Sequence, residues 1–119
     1  MIEHLFKGRI NRKNFILGFF TSIATLIVAL LLLIVLPGKL LDNAIFATIV
    51  SFLWVIIVVC VIVFNLSLLV RRWHDIGRSG WMIIFTSIPY IGFVVYIYLV
   101  IRKGDVKPNK YGPVPNKSV

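Results

Sequence analysis

The 119-residue chain is 60% hydrophobic and 14% charged, and its 13 Lys and Arg against 4 Asp and Glu leave a formal charge of +9. A soluble globule of this size cannot cover so much apolar surface, disordered chains are poor in hydrophobics, and a single cysteine excludes a disulfide framework or a cysteine zinc cluster. What remains is a small all-α integral membrane protein, with a mean hydropathy of +0.99 and no room for a soluble catalytic domain.

The charges divide the chain. Residues 15–36, 44–70 and 81–101 contain no Asp, Glu, Lys or Arg, so every charge falls in the segments between and around them. A helix rises about 1.5 Å per residue, and about 20 apolar residues cross a hydrocarbon core of about 30 Å. Three hydrophobic segments are therefore expected within one membrane domain covering 1–119.

The basic N-terminal segment, 1–14, carries Lys7, Arg9, Arg12 and Lys13. Ile2, Leu5 and Phe6 share one face of a short interfacial helix. Asn11 is placed to cap the first long helix, with Arg12 and Lys13 in its first turn at the membrane surface. The first segment is longer than a signal-peptide core and no small-residue cleavage site follows it, so it is expected to stay in the mature protein; neither terminus shows a lipidation motif. Leu36-Pro37-Gly38-Lys39 reads as its stop. Asp42 and Asn43 offer caps for the second helix and Ser79 for the third, with Gly104 as a glycine ending the third after Arg102 and Lys103. The tail, 102–119, is polar, contains Pro108, Pro113 and Pro115, and should be irregular.

Basic residues stay on the cytoplasmic side during insertion. That rule puts the N-terminus and the Arg71, Arg72 and Arg78 loop inside, and the short turn bearing Lys39 outside. The tail adds Arg102, Lys103, Lys107, Lys110 and Lys117. If the third segment crosses as one kinked helix, those five lie outside; if it returns as a re-entrant hairpin, they lie inside. Pro89-Tyr90-Ile91-Gly92, at its middle, offers a break. The charge count favours the return, but a turn at depth needs shielding from lipid, which points to an oligomer.

Few polar groups lie in the spans. Most are hydroxyls that normally bond their own backbone. Asn65 cannot satisfy its amide within one helix, so a helix–helix or inter-subunit contact is expected, and Cys60 should be an apolar filler. No span holds an ionisable residue, which disfavours a proton- or cation-coupled transporter.

The densest cluster is Arg71-Arg72-Trp73-His74-Asp75-Ile76-Gly77-Arg78-Ser79-Gly80-Trp81. Arginines anchor helix ends at headgroups, Trp73 and Trp81 suit the interfacial belt, and the glycines make the turn. The sharper possibility is a polar site for an anionic headgroup, phosphate or partner carboxylate, held by bidentate arginines. Catalysis would rest on His74 as a base beside Asp75, with no nucleophile or metal partner, and His4 is too isolated to help. No cofactor or metal is implied. Cations beside membrane segments fit anionic lipid better than nucleic acid.

Three clusters together carry a family resemblance: Phe6-Lys7-Gly8-Arg9-Ile10-Asn11-Arg12 with Phe15, the cluster at 71–81, and Asn109-Lys110-Tyr111-Gly112-Pro113-Val114-Pro115. In order and spacing they resemble the bacterial inner-membrane family catalogued as domain of unknown function 805. The family usually has Leu where Trp73 stands and Trp where Met82 stands, and often Ser at Asn11 and Asp at Val114. The resemblance implies a multi-pass protein of the bacterial inner membrane and no mechanism. If the three motifs form one site, they share one membrane face, with Arg9, Arg12, Arg72, His74, Asp75, Asn109 and Tyr111 on a common surface.

The leading expectation is a non-enzymatic oligomerising or accessory module whose basic cytoplasmic face binds anionic lipid or a partner protein, through Arg9, Arg12, Arg71, Arg72, His74, Asp75, Arg78, Asn109 and Tyr111. The rival is a small holin-like or channel pore. A pore needs a continuous polar stripe, which Thr21 and Thr25 begin but nothing extends.

Overall fold

The computed structural model describes residues 3–36, 40 and 42–115. Ile2, Lys117 and the helix stop at Pro37, Gly38 and Lys39 lie outside the described residues. In chain order the elements are a single turn α1 (Glu3–Phe6), the long helices α2 (Arg12–Val35) and α3 (Ala44–Asp75), a 3-10 helix (Gly80–Ser87) and α4 (Ile91–Ile101).

α2 begins where its cap demands. The Asn11 side chain accepts a hydrogen bond from the Asn14 N–H at 2.7 Å, which puts Arg12 and Lys13 in the first turn. Asn43 caps α3 by accepting from the Ile45 and Phe46 N–H groups, while Asp42 stays exposed. Their 24 and 32 residues correspond to rods of about 36 and 48 Å, so both can cross a hydrocarbon core. α3 runs past its apolar stretch, carrying Arg71 to Asp75 into its last turn and a half. The two helices pack antiparallel: Ile10 N–H donates to the Arg71 carbonyl, Ser22 donates to Asn65, and Gly18 sits against Leu68. A Cβ at Gly18 would press on the terminal methyls of Leu68, which would have to shift to admit it.

The third hydrophobic segment returns. Its first arm is the 3-10 helix, capped by Ser79, and its second is α4; the chain reverses at Pro89 and Tyr90, where Tyr90 takes a left-handed φ of 65°. The arms are of matched length, about 16 Å each, which is half a hydrocarbon core. Ile91 and Gly92 N–H groups donate to the Pro89 and Ile88 carbonyls, both at 2.7 Å, so the turn satisfies part of its own backbone. Gly92 is buried against the Thr86 carbonyl, where any side chain would clash and force the arms apart. Both feet of the hairpin meet the same end of the α2–α3 pair. Gly80 abuts Val70 and His74, while the Leu99 and Arg102 carbonyls reach Arg72.

The buried core collects at that end: Ile10, Phe15, Leu68, Leu69, Trp73, Ile76 and Leu99, with Tyr96 leaning on Phe15 and Phe19. Elsewhere the long helices expose leucine, isoleucine, valine and phenylalanine around their circumference, the surface expected of rods solvated by lipid.

Three expectations need correction. Gly104 does not end α4, which stops at Ile101 with Arg102 as its cap; it instead lets the chain pass directly over the Asp75 carboxylate. Cys60 is exposed, at the edge of a shallow groove that it lines with Thr21, Ser22 and Thr25 of α2. Trp73 is 5% exposed and packs beside Tyr98, since the returning α4 covers a face that a lone helix end would have left at the interface. Trp81, in contrast, is exposed.

Candidate functional site

The polar motifs converge on Asp75, at the last turn of α3. Arg72, one turn earlier, and Arg9, from the segment before α2, both pair with its carboxylate; the Arg9 contact is 3.0 Å. The three are buried, with Arg72 entirely so.

Arg72 is a four-way tie. Its Nε–H donates to the Leu99 carbonyl at 2.9 Å, one terminal nitrogen serves the Ile10 carbonyl and Asp75, and the other the Arg102 carbonyl. One planar cation thus joins α3 to the chain before α2 and to the end of α4. A planar fork suits this; a lysine ammonium lacks its reach in several fixed directions. Arg9 does the same for the tail, donating to the Lys107 and Asp105 carbonyls besides Asp75. The Asp105 N–H returns a bond to the Asp75 carbonyl at 2.7 Å. Two guanidinium groups face one carboxylate, so the junction carries a net positive charge, spread over backbone carbonyls that accept its N–H groups.

His74 points away from this junction. Its Nδ1 lies 3.2 Å from the Gly8 carbonyl and its ring stacks on Tyr111, with centroids 3.9 Å apart and planes 7° apart. His74 lies beyond the apolar stretch 44–70. Burial is the main cause that lowers its pKa from the ordinary histidine value; the Gly8 hydrogen bond opposes this and the Lys110 charge adds to it. Asn109 holds the tail in register: its amide donates to the His74 carbonyl and to Asp105, and its oxygen accepts from the Tyr111 N–H. An isolated bridge between Asn109 and Gly112 closes this turn.

The anticipated common surface is therefore assembled at one end, but much of it faces inward. Arg9, Arg72 and Asp75 are spent on one another and on carbonyls, which corrects their expected role as headgroup ligands. Arg12, exposed, donates to the Ile101 carbonyl at 3.2 Å. Arg78 is exposed past the end of α3, and Arg71 lines a separate groove between α2 and α3. Asn65 bonds across the helices, accepting from Ser22 at 3.2 Å and donating to the Val61 carbonyl. Sequence reasoning passed over Asp105 and gave Gly104 a different role. Asp105 is one of only four acidic residues, which was a usable signal; the approach of Gly104 to Asp75 left none. Among the described residues no three His, Cys, Asp or Glu side chains converge as metal ligands.

Two apolar helices long enough to cross a membrane, a hairpin of two short apolar arms and a polar junction at one end define a small multi-pass helical membrane protein. The chain belongs to the family described as "Protein of unknown function (DUF805)", whose family model matches residues 4–113. It is 38% identical over 45 residues to the inner membrane protein YhaH of Escherichia coli (strain K12), across 38% of this chain and 37% of that protein. It is 39% identical over 51 residues to the inner membrane protein YhaI of the same organism, across 42% of each. These alignments span well under half the length of either relative. No solved structure matches. With such relatives and two spanning helices, the protein is placed in the bacterial inner membrane.

Proposed function

We propose that the protein is a non-catalytic accessory module of the inner membrane, which presents one basic cytoplasmic platform to anionic lipid headgroups. The observation that carries this is the return of the third segment to Arg72, which brings the basic N-terminal segment, the end of α3 and the basic tail together. The positive-inside rule then assigns that end to the cytoplasm. Each Lys or Arg near an anionic leaflet contributes roughly 1 kcal/mol of attraction. The residues available at the surface are Arg12, Arg78, Arg102, Lys103, Lys107 and Lys110, all exposed.

The geometry gives the rival readings little support. His74 and Asp75 engage different partners and do not form a relay. Thr21, Thr25, Thr48 and Ser51 donate to carbonyls of their own helices, where a pore would turn them to a shared aqueous line.

The test is reconstitution into nanodiscs of equal phosphatidylglycerol and phosphatidylcholine, followed by measurement of which lipid stays in contact with the protein. Enrichment of phosphatidylglycerol that weakens with added salt is expected. Equal contact of both lipids at low salt overturns the proposal.

A further inference from the structure

Arg71 differs from the other arginines of its motif. Among the described residues nothing pairs with its guanidinium, and its Nε–H is shut off from solvent without an acceptor. An unmatched, half-buried cation is expensive, and an anion in the groove that Arg71 lines would offset that cost through the rest of the guanidinium. Arg71 lines a groove of about 420 Å³ between α2 and α3. Near Arg71 the lining includes Arg9, Ile10, Asn11, Asn14 and Pro115; further along the two helices it is Gly18, Phe64 and Leu68. Phe64 lies two helical turns below Arg71, about 10 Å further along the rod. Among the described residues no carboxylate lines the groove: Asp75 is taken by Arg9 and Arg72, and Asp105 by Asn109.

The depth is also defined. Val70 is the last residue of the charge-free stretch, so Arg71 stands where hydrocarbon gives way to headgroups. A polar cationic mouth at that level, opening onto an apolar trough that runs towards the bilayer centre, has the polarity profile of one phospholipid. The volume suits a phosphate and the first part of one acyl chain, with the remainder lying along the exposed apolar flanks of the two helices.

We propose that this groove seats a single anionic phospholipid, its phosphate on Arg71 and its proximal acyl chain along Gly18, Phe64 and Leu68. The inference rests on the reading of the basic end as headgroup-binding, and adds to it one saturable site. The loose platform attracts lipid by net charge; the groove selects one molecule by shape, and through a donor that a zwitterionic headgroup satisfies less strongly.

The experiment has two parts. Native mass spectrometry of the detergent-extracted protein, titrated with phosphatidylglycerol, should show one lipid retained per chain, and Arg71→Gln should weaken that retention about tenfold. In the same variant the overall preference in nanodiscs should persist, because the other cations remain. Independently of any variant, phosphatidylglycerol with a photoreactive group on its acyl chain should label the Gly18 and Phe64–Leu68 peptides of the unaltered protein above the rest of α3. Inorganic phosphate should not displace the lipid; full displacement by phosphate, with the groove unlabelled, overturns a lipid site. Unaltered one-to-one retention in Arg71→Gln, or labelling spread evenly around α3, overturns the groove while leaving the platform standing. Absence of any anionic preference in either measurement overturns both.

Discussion

Arg72 and Leu99 are 27 positions apart, both are wholly buried, and the Arg72 Nε–H donates to the Leu99 carbonyl at 2.9 Å. That bond ties the end of the hairpin to the end of the second spanning helix, so the tail leaves from the same end of the helix pair as Arg72. Removing the cation should be severe. Arg72→Ala leaves Asp75 and several carbonyls buried with one partner fewer, at a cost of about 3–5 kcal/mol. A lowered unfolding midpoint in detergent and faster proteolysis of the tail would report it. Arg72→Lys should recover little, because an ammonium cannot serve all four acceptors.

Gly104→Ala should destabilise without altering any charge. The added methyl would enter the space of the Asp75 carboxylate, and overpacking of this kind costs about 1–3 kcal/mol. Gly8, where an added Cβ would meet nothing within 4 Å but whose φ is 85°, makes a useful comparison, since Gly8→Ala meets backbone strain alone. Thermal unfolding of the two variants separates the effects.

The stacked pair His74 and Tyr111 predicts a crosslink. In a Cys60→Ala background, His74→Cys with Tyr111→Cys should form a disulfide under mild oxidation, because the rings are in face-to-face contact. Failure to crosslink would place the tail elsewhere, and so would labelling of Lys107→Cys from the periplasmic side.

Acidification should loosen the same contact. The lowered pKa of His74 means that the folded protein favours the neutral ring, so the unfolded or detached state binds more protons. Its contribution is fully present above the ordinary histidine pKa of about 6.5 and is lost as pH falls below that value. Proteolysis of the tail should accelerate between about pH 7 and pH 5, and His74→Gln should flatten that dependence.

Asn65→Leu tests the contact within the span. It removes the bond to Ser22 and should cost only about 0.6 kcal/mol, the usual scale for a hydrogen bond between membrane helices. A loss several times larger would show that Asn65 does more than join α2 to α3.

The architecture was largely legible because charge is absent from three stretches, and because Asn11, Asn43 and Ser79 each cap the element that follows them. The return of the third segment was foreshadowed by Pro89 and Gly92 and by the surplus of tail cations, yet a kinked span fitted its length equally well. What decides between them is contact between Arg72 and two backbone carbonyls, and carbonyls leave no trace in residue type. For the same reason the three arginines of the 71–81 cluster looked alike. Arg72 is a tie, Arg71 an unmatched donor and Arg78 a surface charge, distinctions set by what α4 and the tail lay over each one. Trp73 was misplaced on the same ground.

The half-length hairpin makes the molecule unequal across the bilayer. With the basic end at one surface, four rods among the described residues would displace lipid in that leaflet, and α2 and α3 alone among them in the other. The protein is a wedge, and each copy inserted takes up more area on one side of the membrane than on the other. Its most comfortable surroundings are therefore where the broad-side leaflet is stretched, so curvature and crowding should govern where it gathers, independently of any headgroup.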